Sequence, residues 1–506
     1  AVSVLSDSFL YTHELPWPVP YELWGCVGNA PPVPEVQQAK QLRIYAPDDV
    51  EGPLPVLIFH HGAGFHHAEY DALLERIASH GFVCVSVNDV FSYTTFQTYY
   101  CWGGHDEAAR VMVSTRFALE QMALDPSHAL LGRIDFDRLF YGGHSRGGAS
   151  AVSAAEFDPR ARGVIALQPT DAKSDSFIGF TDRWDQLPPL PILDISAEQD
   201  TDVVFPWAER LLERTVHATT LVTIYGGCHG FTTDDREDGC FDCLWTPTSP
   251  LVDRCLYISR EQHIELTAHW CVAFLRRHGL GDLSVEGQLY GDEWNSSPLL
   301  SLASNRNLND SIWVDDFATY PVRADGNAWT ATGIGNVSVG ACYDSPTPSI
   351  SPNLPIENLI VEFEMTGEEL SIETTLGAPG NPLDVASRRS VVFRLKNHDR
   401  WQLVDNFGFS WLDLALELTD VSGDPVAVSV DEFLPQSLVH PQSTPTGVLL
   451  KAQRFIDVRV PLARFIQEDP LFDLQALTHL RFRFSAVPGP ALVLPPTLGI
   501  DDIRFE

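Results

Sequence analysis

One short segment constrains the fold of this chain more than any other. Residues 138–149 read RLFYGGHSRGGA, so an apolar strand-like run leads into the motif G-H-S-R-G around Ser145 and then into small residues typical of a helix. Glycines two residues before and after the serine are needed where a strand and a helix almost touch, because a Cβ atom would not fit there. The pattern predicts a sharp strand-to-helix turn that exposes the Ser145 hydroxyl and points a helix N-terminus at whatever binds beside it.

The segments around this turn alternate between strand and helix. From about residue 41 to residue 281, short apolar segments that fit buried strands are separated by helix-like segments. This alternation predicts a first domain over residues 1–282 with a mostly parallel, doubly wound α/β sheet. Residues 283–309 are rich in Gly, Asn, Ser and Pro and are predicted to be a linker. Short alternating segments after it predict an all-β sandwich over residues 310–506.

The composition excludes several functions. The chain has 68 acidic and 33 basic residues and a formal net charge of −35. Such a charge argues against a nucleic-acid-binding protein, which needs a basic face to displace counterions, and against docking on anionic lipid. No apolar run is long enough to cross a bilayer, while 44% hydrophobic residues can build large cores. We therefore expect a globular monomer with no nucleic-acid or membrane partner.

A serine hydroxyl is a weak nucleophile and needs a base that is itself held by an acid. Two polar segments follow predicted strands later in the chain, at the sheet edge where open α/β sheets place their sites. One contains Asp200 and Asp202, and the other contains His229. We predict that Ser145 is the nucleophile, His229 the base and Asp200 the acid. Asp202 and the strand residue Asp194 are the competing acids, and this chemistry requires no cofactor.

Two backbone N–H groups are expected to stabilise the negative charge that develops on a substrate oxygen. One belongs to Arg146, directly after the serine. The other is assigned to Ala63 in the segment HHGAGFHH, which follows the predicted strand at 56–60. The four histidines of this segment also suit a metal site, but neighbouring histidine side chains diverge. We therefore favour an oxyanion loop over a metal site.

Residues 40–280 resemble the dienelactone-hydrolase-like branch of the α/β-hydrolases. Within that branch the chain is similar to cutinase-like and PET-type polyester hydrolases, chlorophyllases and platelet-activating-factor acetylhydrolases. The resemblance rests on RIASHGFVCVSV at 76–87, GHSRGG at 143–148, AEQDT at 197–201 and GGCH at 226–229. The arginine after the serine is as in chlorophyllases, whereas polyester hydrolases tend to have a hydrophobic residue there. The resemblance implies an α/β-hydrolase fold and a serine carboxylic-ester hydrolase.

The resemblance also indicates where an ester substrate would bind. We expect contacts from Phe65, His144 and Thr170 around the turn, and from Tyr93 and Trp102 in an aromatic-rich segment. Thr170 stands at about the position where polyester hydrolases often have an aromatic residue, which is a departure from their pattern. The aromatic-rich segment fits either a packed cap or a platform for substrate.

Nine cysteines indicate an oxidising compartment, since several lie in polar loops where a buried thiol is unexpected. The predicted disulfides, in order of preference, are Cys243–Cys255, Cys228–Cys240 and Cys26–Cys101. A four-cysteine zinc site within residues 228–255 is the alternative. Cys84 and Cys271 lie in apolar patterns and are expected to be buried free thiols. A cleaved export signal would account for the start at Ala1, so we expect a secreted, extracellular or periplasmic protein.

The C-terminal region resembles the galactose-binding-like jelly rolls that serve as carbohydrate-binding modules. The resemblance rests on WVDDF at 313–317 and LGIDDIRF at 498–505. Such modules often hold a structural calcium ion between the first and last strands. The candidate calcium ligands are Asp315, Asp316, Asp501 and Asp502. Capping of strand ends is the alternative role for these carboxylates.

A sugar-binding jelly roll would favour a polymeric substrate. We therefore predict a secreted serine ester hydrolase of the polyester or cutin type. The alternatives are an esterase of acylated polysaccharide, a chlorophyllase-like lipid esterase, and a non-catalytic binding protein on a hydrolase scaffold.

Overall fold

The structure is a computed structural model of the chain. The residues it describes are 1–12, 37–50, 52–89, 104–170, 190–197, 200, 202–203, 211–212, 215, 218–235, 258–290, 299–304, 311–315, 327–332, 334–341, 357–363, 370–377, 380–397, 413–430, 433, 456–485 and 497–506. Within these ranges no helix combines the length and the apolar character needed to cross a membrane.

The first part of the chain forms one nine-stranded sheet. Its strands are β1 (Val2–Thr12), β2 (Gln37–Pro47), β3 (Leu54–His60), β4 (Val83–Val87), β5 (Ile134–His144), β6 (Ala161–Leu167), β7 (Ile192–Ala197), β8 (Thr219–Ile224) and β9 (Leu300–Ser304). They lie in the order β1-β2-β4-β3-β5-β6-β7-β8-β9. The six strands from β3 to β8 run parallel, whereas β1, β2 and β9 pair antiparallel with their neighbours.

Helices cover both faces of this sheet. They are α1 (Asp71–Ala78), α2 (Gly104–Leu124), α3 (Arg146–Phe157), α4 (Arg260–Gly279) and α5 (Glu286–Tyr290). Alternate residues of β3 enter different cores: Leu57 joins the core that includes α1 and α4, and Ile58 joins the core that includes α2 and α3. A strand buried on both faces reads as an unbroken apolar run, which is why β3 was recognisable. The predicted doubly wound α/β sheet is confirmed.

The boundary of this sheet differs from the sequence prediction. The sequence predicts a linker over residues 283–309, whereas the structure places a 3-10 turn at Leu283–Val285, then α5, then β9 in that stretch. β9 pairs antiparallel with β8, and Leu289 and Leu302 are buried in the core. The apolar residues of α5 and β9 are few and are scattered among Gly, Asn, Ser and Pro, so the local composition did not reveal these two elements. The first sheet therefore continues to Ser304.

The second part of the chain is all-β apart from one short helix, α6 (Leu462–Glu468), within the described residues. The strands are β10 (Ile312–Asp315), β11 (Trp329–Thr332), β12 (Ile334–Ala341), β13 (Glu357–Phe363), β14 (Leu370–Thr375), β15 (Ser390–Asn397), β16 (Asp413–Asp420), β17 (Pro425–Ser429), β18 (Ile456–Pro461), β19 (Leu477–Ser485) and β20 (Thr497–Phe505). One sheet runs β12-β13-β20-β15-β18 with β10 on β20, and the other runs β11-β14-β19-β16-β17.

These two antiparallel sheets pack face to face. Phe393 of the first sheet meets Phe482 of the second with ring centroids 4.9 Å apart, inside a core drawn from both sheets. This is a β-sandwich, as the alternating pattern predicts. Its jelly-roll connectivity and its calcium site stay predictions. Asp315 ends β10, Asp316 lies outside the described residues, and the side chains of Asp501 and Asp502 are not described.

The sandwich touches the first sheet at β9. Arg459 of β18 is buried, pairs with Glu506, and directs its Nε at the carbonyl oxygen of Leu302, 3.5 Å away. β9 thus pairs with β8 and also contacts β18 of the sandwich.

A truncation experiment tests where the first domain ends. We expect a chain cut after residue 282 to unfold at a much lower temperature than a chain cut after residue 304. The shorter chain loses the buried residues Leu289, Tyr290, Leu300 and Leu302. Each contributes about 1.5–3 kcal/mol, and the sum is comparable to a total stability of about 5–15 kcal/mol. Thermal unfolding followed by circular dichroism compares the two chains, and equal midpoints would contradict the assignment of β9 to the first sheet.

Candidate active site

The turn around Ser145 joins β5 to α3. Ser145 has φ 56° and ψ −121°, in the left-handed region that residues with a Cβ rarely adopt. A Cβ on Gly143 would lie 2.3 Å from the carbonyl carbon of Gly147, and a Cβ on Gly147 would lie 2.0 Å from the carbonyl oxygen of His60. Only glycine fits at these two positions, as the motif predicts.

Backbone hydrogen bonds hold this strained turn in place. The N–H of Ser145 donates to the carbonyl oxygen of Leu167 at the end of β6, at 2.8 Å. The carbonyl oxygen of Ser145 accepts from the N–H groups of Gly148 at 3.0 Å and Thr170 at 3.3 Å. Strain of this kind persists only where the surroundings fix it, and it marks functional sites.

His229 and Asp200 meet beside this turn. His229 begins a short 3-10 turn after β8, Asp200 follows β7, and both side chains are fully buried. His229 Nδ1 lies 2.8 Å from Asp200 Oδ2. The other oxygen, Oδ1, accepts the backbone N–H groups of Asp202 at 3.0 Å and Val203 at 2.8 Å. The carboxylate is therefore fixed by three contacts, one of which orients the imidazole.

The two competing aspartates lie elsewhere. Asp202 is 59% exposed, and its Oδ2 is 3.3 Å from Nε2 of His229, on the opposite side of the ring from Asp200. Asp194 lies inside β7, fully buried, and its register neighbours are Ala166 and Leu221. Of the three aspartates, Asp200 is the one that contacts Nδ1 of His229.

Gln168 fixes the segment that carries His229, and the sequence analysis did not identify it. Its side-chain N–H₂ donates to the carbonyl oxygen of Cys228 at 3.1 Å, and its Oε1 accepts from the hydroxyl of Thr232 at 2.7 Å. Gln168 itself has φ 44°, directly after β6. The signal available in the sequence was a polar residue at the end of a buried strand.

The predicted oxyanion loop packs directly against the turn. A Cβ on Gly62 would lie 3.1 Å from Cβ of Ser145, so the loop and the nucleophile are in close contact. The N–H of Gly62 donates to the hydroxyl of Tyr70 at 3.1 Å. Ala63, the next residue, is exposed. The roles assigned to the N–H groups of Ala63 and Arg146 stay predictions.

Aromatic and imidazole rings surround His229. His144 and His229 have ring centroids 4.4 Å apart, and Phe65 lies 5.1 Å from the His144 ring and 6.1 Å from the His229 ring. Burial, reinforced by the neighbouring His229, holds the pKa of His144 well below its usual value. His144 is therefore neutral at pH 7. His229 thus stands next to the residue that precedes the serine.

A buried ionic cluster anchors the residue after the serine. Asp89, just beyond β4, accepts from Lys40 Nζ at 2.8 Å and from Arg146 at 3.1 Å, with His60 Nε2 at 3.7 Å. Its own N–H donates to His61 Nε2 at 3.0 Å. Burial alone would raise the pKa of Asp89, but His60, Lys40 and Arg146 hold it well below the usual value. The arginine side chain thus turns into the protein interior and away from solvent.

Asp89→Asn is expected to destabilise the fold strongly. The change leaves the buried cations of Lys40 and Arg146 beside a neutral amide, and breaking a buried pair costs about 3–5 kcal/mol. Chemical denaturation measures the free energy of unfolding. Glu265→Gln is the control, because its pair with Arg76 is exposed and contributes less than about 1 kcal/mol. Equal losses in the two variants would contradict the view that the cluster stabilises the turn.

The remaining predicted residues have mixed outcomes. Thr170 is half-buried, and its hydroxyl lies 2.9 Å from Nε2 of His105. Tyr93 and Trp102 lie outside the described residues.

Cys84 and Cys271 are free and buried, as predicted. Cys228 is disulfide-bonded. The other cysteines of the three predicted pairs lie outside the described residues, so the pairings stay predictions. His60 and His61 direct their Nδ1 atoms at backbone carbonyl oxygens, at 2.8 and 2.7 Å.

Comparisons with known proteins point to the same kind of site. The family model described as Chlorophyllase matches residues 30–171. Cutinase est2 of Thermobifida alba is 34% identical over 127 residues, which is 25% of this chain and 35% of the cutinase. Cutinase 2 of Thermobifida cellulosilytica is 33% identical over the same length, which is 40% of that protein. The chain thus spans little more than a third of the curated relatives it matches.

The parallel sheet, the strained serine turn and these similarities are all of the kind found in α/β-hydrolases. The residues matched by the family model lie in the first domain and include the segment at 60–67 and the serine turn.

Proposed function

We propose that this chain is a serine carboxylic-ester hydrolase. The observation that carries the proposal is the 2.8 Å contact of Asp200 with His229, beside a serine held at φ 56° at the start of a helix. In the proposed reaction the Ser145 hydroxyl attacks the ester carbonyl while Nε2 of His229 takes its proton. Asp200 keeps the imidazole in the tautomer with hydrogen on Nδ1 and stabilises the imidazolium that forms.

The second half of the reaction returns the enzyme to its starting state. His229 gives its proton to the leaving alcohol, and an acyl-enzyme remains on Ser145. Water then attacks the acyl carbonyl, with His229 as the base, and releases the carboxylic acid. The N–H groups of Ala63 and Arg146 are proposed to stabilise the negative oxygen in both steps, since donors of this kind contribute most when charge develops on the oxygen.

The proposed substrate class is polyester or cutin. The names of the relatives support this, because the similar Thermobifida proteins are cutinases. The proposed substrate contacts are Phe65, His144 and half-buried Thr170, together with Tyr93 and Trp102, which lie outside the described residues. The match to the Chlorophyllase model and the arginine after Ser145 favour the second candidate, an esterase of chlorophyllase-like lipid esters.

We also propose export to an oxidising compartment. The disulfide at Cys228, directly before the proposed base, supports this, because structural disulfides persist outside the reducing cytosol. The sandwich domain is proposed to bind carbohydrate or polymer and to raise the local concentration of substrate.

The decisive experiment combines an active-site probe with a substrate panel. The purified chain is treated with a fluorophosphonate, which reacts only with an activated serine. It is then assayed on p-nitrophenyl esters of increasing acyl length, on cutin and polyester film, on acylated xylan and on chlorophyll. Labelling with release of acid from cutin or film supports the proposal. Activity confined to chlorophyll or to acylated xylan would replace the proposed substrate class by chlorophyllase-like lipid esters or by acylated polysaccharide, respectively. Absence of both labelling and hydrolysis would leave the non-catalytic binding protein.

A further inference from the structure

We propose that Tyr70 is a positioning residue that couples the proposed oxyanion loop to His144, whose ring lies beside that of the proposed base His229. This inference rests on the proposed ester hydrolysis and deepens it. Tyr70 lies seven residues after Ala63, at the residue before α1, and its side chain is fully buried.

One hydroxyl group joins the two parts of the site. The N–H of Gly62 donates to Oη of Tyr70 at 3.1 Å, and Oη lies 3.0 Å from Nδ1 of His144. In the proposed arrangement Oη accepts from Gly62 and donates its own hydrogen to the ring nitrogen. The result is a directed chain of hydrogen bonds from Gly62 through Tyr70 to His144.

This chain sets the tautomer of His144. With Nδ1 accepting from the Tyr70 hydroxyl in this arrangement, neutral His144 carries its hydrogen on Nε2. The His144 ring lies 4.4 Å from the His229 ring, and His229 becomes positively charged during the proposed reaction. A neutral neighbour does not repel that charge, whereas a protonated His144 would.

The same hydroxyl fixes the position of the proposed oxyanion loop relative to Ser145. Gly62 passes close enough to Ser145 that a Cβ on it would lie 3.1 Å from the Ser145 Cβ, and it directly precedes Ala63, whose N–H is the proposed donor. A loop donor stabilises the reacting oxygen only when it sits about 3 Å from the position that the oxygen occupies in the transition state. Without the Tyr70 hydroxyl the N–H of Gly62 loses its acceptor, and the loop loses the hydrogen-bonded link through Tyr70 to His144 at the end of β5.

The test is Tyr70→Phe, which keeps the buried ring and removes only the hydroxyl. We expect kcat on a short p-nitrophenyl ester to fall about 10- to 100-fold, since a displacement of about 1 Å in a catalytic group costs up to about 100-fold. KM is expected to stay within about threefold, because the donor acts on the transition state more than on bound substrate.

Tyr141→Phe is the matched control. Tyr141 of β5 is likewise a fully buried tyrosine, and its hydroxyl donates at 2.7 Å to Asp158, the residue directly after α3. It loses a buried hydroxyl of the same kind, yet it touches neither the loop nor His144. We expect it to lower the melting temperature by a similar amount with kcat unchanged.

A transition-state analogue separates positioning from a general loss of stability. Trifluoromethyl ketones add to an activated serine and present an oxyanion, whereas a carboxylic acid product does not. In Tyr70→Phe the inhibition constant of the ketone should weaken by the same factor as kcat/KM falls, and that of the product acid should not change.

Variants of His144 test the same hydrogen bond from its other end, and they replace Tyr70→Phe if that variant fails to fold. His144→Asn retains an oxygen acceptor near the position of Nδ1, whereas His144→Leu removes it. We expect the asparagine variant to keep at least about tenfold more activity than the leucine variant. Equal activity in these two variants, or equal kcat in Tyr70→Phe and Tyr141→Phe, would overturn the role of Tyr70. A wild-type chain that hydrolyses no ester would overturn the proposed function itself.

Discussion

Replacing Ser145 by alanine should lower kcat on a soluble p-nitrophenyl ester by about 10,000-fold or more while leaving the fold intact. Loss of the nucleophile in a serine–histidine–aspartate site removes nearly all of its rate enhancement. Alanine keeps the Cβ that already occupies the strained turn at φ 56°, so the change introduces no new steric contact. Steady-state kinetics with the purified variant gives the result, and circular dichroism checks the fold.

Ser150→Ala is the control for this experiment. Ser150 is buried on α3, one turn after Arg146, and its hydroxyl donates to the carbonyl oxygen of Arg146 at 2.8 Å. This variant also loses one buried serine hydroxyl, but we expect its kcat to stay within about threefold of wild type, because the group does not face the reacting atoms. A Ser145→Ala variant that keeps more than a tenth of the activity would show that another residue is the nucleophile.

Local patterns were sufficient to predict most of the first sheet. β3, β5, β6, β7 and β8 are short apolar runs because both of their faces are buried, and such runs stand out in a sequence. β1 and β9 were not predicted. β1 is an edge strand with exposed and half-buried positions in alternation, and β9 has only five residues. Strands of this kind are defined by their pairing partner, which composition does not reveal.

The site divides in the same way between local and distant signals. Ser145 and its glycines form a contiguous motif, and Asp200 and His229 each follow a recognisable strand. The positions of Tyr70, Asp89 and Gln168 depend on contacts with residues 74, 57 and 60 positions away in the chain. A lone tyrosine, aspartate or glutamine has no local signature, so only the folded structure relates these side chains to the serine turn.

Asp200→Asn should lower kcat by about 10,000-fold, which is far more than the loss in Asp202→Asn or Asp194→Asn. The reason lies in the contacts of the two carboxylate oxygens. Oδ1 of Asp200 accepts the backbone N–H groups of Asp202 and Val203, whereas Oδ2 faces Nδ1 of His229. In the variant the backbone donors keep the amide oxygen on their side, so the amide nitrogen must face the imidazole.

That arrangement changes the tautomer of the His229 imidazole. An amide N–H₂ can only donate to Nδ1, so the ring hydrogen moves to Nε2, and Nε2 then has no lone pair to accept the proton of Ser145. Asp202 cannot take over the role, because it lies on the Nε2 side and is 59% exposed. Asp202→Asn should therefore change kcat by less than about threefold, in line with the small energies of solvent-screened ion pairs.

Asp194 is held within β7 between its neighbouring strands, so Asp194→Asn should change stability more than turnover. Steady-state kinetics of the three asparagine variants, each checked for folding, ranks the aspartates directly. A larger loss of kcat in Asp202→Asn than in Asp200→Asn would mean that the His229 ring flips during the reaction. The catalytic acid would then be Asp202, two residues further along the same loop.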